Sequence, residues 1–60
     1  MRVYVNETSV DLWPGMTVKH ALIQAGLLPE IESGRKVYDA WGNEVGLDGA
    51  LTSGEKIYVK

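Results

Sequence analysis

A helix signal enclosed by strand signals constrains the fold of this chain more than any other feature. Apolar and polar residues alternate over residues 1–5 and again over 9–12, which is typical of half-buried strands. A helix signal follows over 17–25, and further strand signals come later, at 35–39, 44–45 and 56–60. Two strands, a helix and more strands, in that order, favour a small sheet packed against the helix.

The helix signal has well-marked ends. Thr17 is a favourable N-cap, and Gly26 suits the left-handed backbone that commonly ends a helix. The apolar residues between them follow the spacing of one helix face, namely Val18, Ala21, Leu22 and Ala25. Pro29 disfavours helical backbone at Leu28, so we expect Leu28 to be extended and residues 30–33 to form a single short turn.

The first and last strands each place a pair of β-branched residues on one face, Val3 with Val5 and Ile57 with Val59. The economical arrangement makes these strands parallel neighbours, joined by a right-handed crossover through the helix. We therefore predict a single domain over residues 1–60. Its expected fold is α+β of the β-grasp type, with a mixed four- to five-stranded sheet packed on one α-helix.

The composition argues against several classes of function. The chain has no cysteine, so it holds no disulfide, no thiolate zinc site and no iron–sulfur cluster. Its six basic residues are scattered along a chain of net charge −2, which argues against nucleic-acid binding. No apolar run approaches the length of a membrane span. We expect a cytoplasmic chain, monomeric on its own and without a cofactor.

The polar residues do not predict a catalytic or metal site. His20 is the only histidine, and no acidic residue lies three or four positions from it, so we interpret it as a solvated surface residue. Asp39, Glu44 and Asp48 bracket a turn and could meet as oxygen ligands, but their spacing matches no calcium loop. We interpret them as solvated turn acids.

Three tyrosines are the candidate binding residues. In the predicted sheet Tyr4, Tyr38 and Tyr58 lie on three neighbouring strands and point away from the helix, forming an aromatic stripe. One interpretation is cross-strand pairing that stabilises the sheet by about 0.2–1 kcal/mol per pair. The other is a surface that docks another protein, because tyrosine is enriched at interfaces. The sequence leaves both open.

The two tryptophans lie in turns. Trp13 precedes a Pro-Gly pair, and Trp41 precedes Gly-Asn. Because so small a domain can hardly leave both indoles exposed, we expect one of them to cap an open end of the core. The sequence does not indicate which.

A family resemblance runs through nearly all of the chain. Residues 1–6 form a strand and turn, 13–18 read Trp-Pro-Gly-Met-Thr-Val before the helix, 21–22 and 25–27 read Ala-Leu and Ala-Gly-Leu at its end, and 51–59 read Leu-Thr-Ser-Gly-Glu-Lys-Ile-Tyr-Val. In these segments the chain resembles the ubiquitin-like β-grasp proteins, most of all the bacterial sulfur carriers of thiamin and molybdopterin synthesis. The TGS domains of GTP-binding and tRNA-ligating proteins share the same signatures, which specify a shape and leave the activity open.

The end of the chain departs from the carrier pattern. Sulfur carriers act through a flexible tail ending in Gly-Gly, whereas this chain ends Tyr58-Val59-Lys60. The resemblance therefore implies a non-catalytic protein-interaction module, not an enzyme, that binds through its open sheet face. Two alternatives remain: a sulfur carrier or protein modifier truncated before its Gly-Gly tail, and a TGS-like regulatory domain excised from a larger enzyme.

Overall fold

A computed structural model describes residues 1–60 and contains five strands and two helices. The strands are β1 (Arg2–Val5), β2 (Thr8–Asp11), β3 (Val37–Asp39), β4 (Glu44–Val45) and β5 (Lys56–Val59). The helices are α1 (Val18–Ala25) and α2 (Leu28–Glu32). Neither helix has the length and apolar character needed to cross a membrane.

The five strands form one mixed sheet in the order β2-β1-β5-β3-β4. β1 and β5 pair in parallel, and the other three pairs are antiparallel. The predicted parallel pairing of the first and last strands is therefore confirmed. The chain is an α+β fold in which a mixed sheet is connected through a helical crossover.

A two-residue turn joins β1 to β2. Asn6 and Glu7 have φ angles of 49° and 70°, the left-handed values of a type I′ hairpin turn. Asparagine adopts left-handed backbone readily, whereas glutamate does so rarely. Asn6 also joins the hairpin to β5, because its Oδ1 accepts a hydrogen bond from the backbone N–H of Val59 at 2.9 Å.

The core lies between α1 and one face of the sheet. Val3, Val5 and Ile57 are at most 1% exposed, as the alternation of β1 and β5 predicts. Ala21 and Leu22 of α1 pack against them and are fully buried. The remaining buried residues are Leu12, Val18, Val37 and Leu51. Since the helix covers this face, the opposite face of the sheet is left open.

Both ends of α1 are closed by hydrogen bonds. At the start, the backbone N–H of Thr17 donates to Nδ1 of His20 at 3.0 Å, which satisfies one of the donors that a helix N-terminus leaves free. At the end, Gly26 has φ of 74° and the N–H of Leu27 donates to the carbonyl of Leu22 at 2.9 Å. These are the bonds of a Schellman motif, so the predicted caps are confirmed.

The prediction of a single helix is wrong. Leu28 is helical, and it opens α2 with Pro29 in the first turn. Proline has no N–H to leave unsatisfied at that position, and its ring restricts φ to helical values, so it starts a helix as readily as it ends one. The backbone N–H of Ser33 donates to the carbonyl of Pro29 at 3.1 Å and closes the turn.

The expectation that one tryptophan caps the core is also wrong. Trp13 is 76% exposed and Trp41 is 84% exposed. Leucines close the core instead: Leu12 and Leu51 are buried, and Leu47 packs against the buried cluster. The nine buried residues include Leu12 and Leu51 but neither tryptophan, so both indoles lie outside the core.

Candidate functional site

The surface opposite α1 is the candidate site, and we call it the open face. Its residues alternate along each strand with those of the core, so their side chains lie on the other side of the sheet. The pairing register brings them together across all five strands. They are Arg2, Tyr4, Ser9, Asp11, Lys36, Tyr38, Glu44, Lys56, Tyr58 and Lys60.

The three predicted tyrosines lie on β1, β5 and β3, which are adjacent strands. Tyr38 is directly opposite Tyr58 in the β3–β5 register, whereas Tyr4 is opposite Lys56 on β5 and Ser9 on β2. All three are partly exposed. The stripe is therefore present, with one direct aromatic pair and one tyrosine that has no aromatic residue opposite it.

The backbone holds the two paired tyrosines in place. Lys36 and Lys60 exchange both backbone hydrogen bonds, at 3.0 and 2.9 Å. Tyr38 lies two residues after Lys36, and its partner Tyr58 lies two residues before Lys60. Hydrogen-bonded pairs recur every second residue in an antiparallel ladder, so the two tyrosines also form a hydrogen-bonded pair. Nζ of Lys60 lies 6.0 Å from the centroid of the Tyr38 ring, at the outer limit of a cation–π contact.

A shallow hollow lies beside this pair. It has a volume of about 340 Å³ and is lined by Tyr4, Glu7, Lys56 and Tyr58. The hollow is open to solvent, and its lining combines two aromatic rings with one carboxylate and one ammonium group. It could therefore accept a side chain that is apolar in part and polar in part.

Two ion pairs lie at the margins of the open face. Nε of Arg2 is 3.1 Å from Oδ1 of Asp11, and Nζ of Lys36 is 3.7 Å from Oε2 of Glu44. The hydrogen bond from Arg2, together with its charge, lowers the pKa of Asp11 below its ordinary value. The first pair joins β1 to β2, and the second joins the residue before β3 to β4; both are exposed, so each contributes little to stability.

The other candidate residues have structural roles. His20 is exposed, and its contact with Thr17 belongs to the helix N-terminus. Oδ1 of Asp39 accepts hydrogen bonds from the backbone N–H groups of Asn43 and Trp41, both at 2.9 Å. The Asn43 bond is the main cause that lowers the pKa of Asp39. No group of three or more histidine, cysteine or acidic residues is placed to hold a metal ion.

The two exposed tryptophans share one end of the sheet. Trp13 follows β2, and Trp41 lies in the turn after β3, and both of these strands run against β1 and β5. Trp41 lines a hollow of about 460 Å³ with residues 52–56. Trp13 lines another of about 420 Å³ with Met1 and Leu12. Sequence reasoning missed this arrangement because it assigned one indole to the core.

Comparisons of the chain with protein-family models, curated proteins and solved structures find no match. The resemblance to ubiquitin-like proteins therefore stays a prediction. The functional case rests on the geometry of the open face.

Proposed function

We propose that this chain is a β-grasp protein-interaction module that binds another protein through the open face and performs no chemistry itself. The observation that carries the proposal is the placement of Tyr4, Tyr38 and Tyr58 on adjacent strands of a face that neither helix covers. The sheet order, with parallel first and last strands between antiparallel hairpins, supports the β-grasp assignment.

Tyr4 separates the two interpretations of the tyrosine stripe. Tyr38 and Tyr58 face each other, so sheet stability alone accounts for that pair. Tyr4 has serine directly opposite it on one side and lysine on the other, so it gains no direct cross-strand aromatic pair. A partly exposed tyrosine that lines a hollow and has no aromatic residue directly opposite it supports a role in binding.

The test is a pull-down from cell extract with the immobilised chain. We expect Tyr4→Ser to lose the proteins that the unchanged chain captures. Ile23→Ser is the matched control, because Ile23 is 51% exposed on α1, outside the open face, and should leave capture intact. Thermal unfolding of each variant checks that the fold survives. Equal capture by the Tyr4→Ser variant would overturn the proposal.

The sulfur-carrier and TGS alternatives rest on the sequence resemblance. Sequencing of the parent gene beyond the codon of Lys60 tests them. A short extension ending in Gly-Gly would favour a carrier, and a long downstream reading frame would favour a regulatory domain of a larger enzyme.

A further inference from the structure

We infer that the partner segment bound by the open face is acidic, with two carboxylates that flank an apolar residue. This inference rests on the proposed function and adds the chemistry of the partner to it. It follows from where the fold places the basic residues, which are scattered in the sequence.

The basic residues gather on the open face. Four of the six basic residues of the chain lie there, namely Arg2, Lys36, Lys56 and Lys60. Only Lys19 and Arg35 lie elsewhere. Of the eight acidic residues, Asp11 and Glu44 lie on the open face and Glu7 lines the hollow in it. The side chains of the open face therefore carry four positive and three negative charges, whereas the whole chain carries a net charge of −2.

The two central cations of this face are not held in ion pairs within the chain. The acidic residues Asp11 and Glu44 pair with Arg2 and Lys36 at the margins. Lys56 and Lys60 form no ion pair, and both lie on β5 or immediately after it, in the middle of the sheet. An acidic partner would supply the charge that the chain itself leaves unmatched.

The spacing along β5 specifies the partner more closely. The side chains of Lys56, Tyr58 and Lys60 lie on the same face, because they occupy every second position, so the two ammonium groups flank a tyrosine. Four residues of strand span about 13 Å. In an extended partner chain the same distance separates residues i and i+4. Acidic residues at those positions with an apolar residue at i+2 match the order cation, aromatic ring, cation.

The charge pattern favours an acidic protein segment over a nucleic acid. A phosphate backbone presents its charges continuously and is bound by an unbroken basic stripe. Here Asp11 and Glu44 occupy the two outer strands. Those two carboxylates would repel a phosphate chain that crosses the sheet, whereas a short acidic segment along β5 avoids them.

The experiment is an NMR titration of the ¹⁵N-labelled 60-residue chain with two synthetic peptides. The probe reads Ser-Glu-Thr-Leu-Thr-Glu-Ser, and its control has lysine in place of both glutamates. We expect the probe to shift the amide signals of Tyr4, Lys56 and Tyr58, and to bind at least about tenfold more tightly than the control. Its affinity should fall as sodium chloride is raised.

Charge variants locate the effect. We expect Lys56→Glu combined with Lys60→Glu to weaken probe binding on the order of tenfold. Lys19→Glu is the matched control: Lys19 is exposed, forms no ion pair and lies on α1, so this change should leave binding within about twofold. The neutral pair Lys56→Gln and Lys60→Gln should give an intermediate loss and guards against misfolding of the reversed variant.

The outcomes distinguish the two proposals. If Tyr4→Ser abolishes capture in the pull-down but the charge variants bind the probe normally, the acidic partner is refuted and the interaction module stands. Equal binding of both peptides would also refute the acidic partner. So would oligothymidylate that binds as tightly as the probe, because it would indicate a general polyanion site. If Tyr4→Ser leaves capture unchanged, the proposed function itself falls.

Discussion

Replacement of Glu7 by glycine should stabilise this protein. Glu7 has φ of 70°, in the left-handed region, where a residue with a Cβ is strained. Its predecessor Asn6, at 49°, is a residue type that tolerates this backbone well. Glu7 makes no hydrogen bond or ion pair, and its side chain is exposed. The substitution therefore removes strain without removing a contact, and it produces the Asn-Gly turn that type I′ hairpins favour.

The size of the effect follows from two opposing terms. Left-handed backbone costs an ordinary residue about 1–2 kcal/mol. Glycine raises the conformational entropy of the unfolded chain, which offsets about 0.4–1 kcal/mol of that gain. We expect a net increase of about 0.5–1 kcal/mol in the free energy of unfolding. For a domain of this size, that corresponds to a rise in Tm of about 2–8 °C.

Circular dichroism during thermal and denaturant unfolding measures the change. Glu7→Ala is the matched control, because alanine keeps the Cβ and should leave Tm within about 2 °C of the unchanged chain. An unchanged or lower Tm for Glu7→Gly would refute the reasoning, since it would mean that the turn does not strain Glu7. Equal rises for both variants would attribute the gain to removal of the charge.

Three further predictions concern single contacts. Asn6→Gly keeps the turn but removes the acceptor for the N–H of Val59, so it should lower the free energy of unfolding by about 0.5–1.5 kcal/mol. Denaturant titration measures this change, and an unchanged free energy of unfolding would contradict a stabilising role for the hydrogen bond. Because the pKa of Asp39 is lowered in the folded state, its stabilisation should be present above about pH 4 and lost as pH falls through the folded pKa. The unfolding midpoints of Asp39→Ala and the unchanged chain should therefore converge in acid. Acrylamide should quench Trp13 and Trp41 about equally in the folded and unfolded chain, and a protected fraction would contradict their exposure.

The architecture was predictable because local signals agree with one another. Alternation identified Val3, Val5 and Ile57 as inward residues, and these are at most 1% exposed. The cap residues Thr17 and Gly26 marked both ends of α1. Because crossover connections between parallel strands are right-handed, few sheet topologies were possible for this order of elements. The predicted one, with β1 and β5 as parallel neighbours, is the one observed.

The prediction of a single helix failed because proline is compatible with two different structures. Pro29 ends a helix when it lies inside one, and starts a helix when it lies in the first turn. The choice between the two depends on whether the segment can pack, and Ile31 of α2 does pack against the core. The contact of Ile31 with the core cannot be predicted from the spacing of residues in the sequence. The exposure of Trp13 and Trp41 has the same origin, since leucines from distant segments fill the space first.

Some features of the candidate site also follow from the sequence, and others follow only from the pairing of the strands. The sequence by itself determined that Tyr4, Tyr38 and Tyr58 turn away from the core, because side chains alternate along a strand and the apolar positions choose the inner side. Only the tertiary structure decided that Lys56 lies opposite Tyr4 and Lys60 near Tyr38, and that neither lysine forms an ion pair. Alternation acts between adjacent residues, whereas the neighbours of a strand depend on pairing between segments that are far apart in the chain. A basic surface that is scattered in the sequence is therefore assembled by the order of the strands.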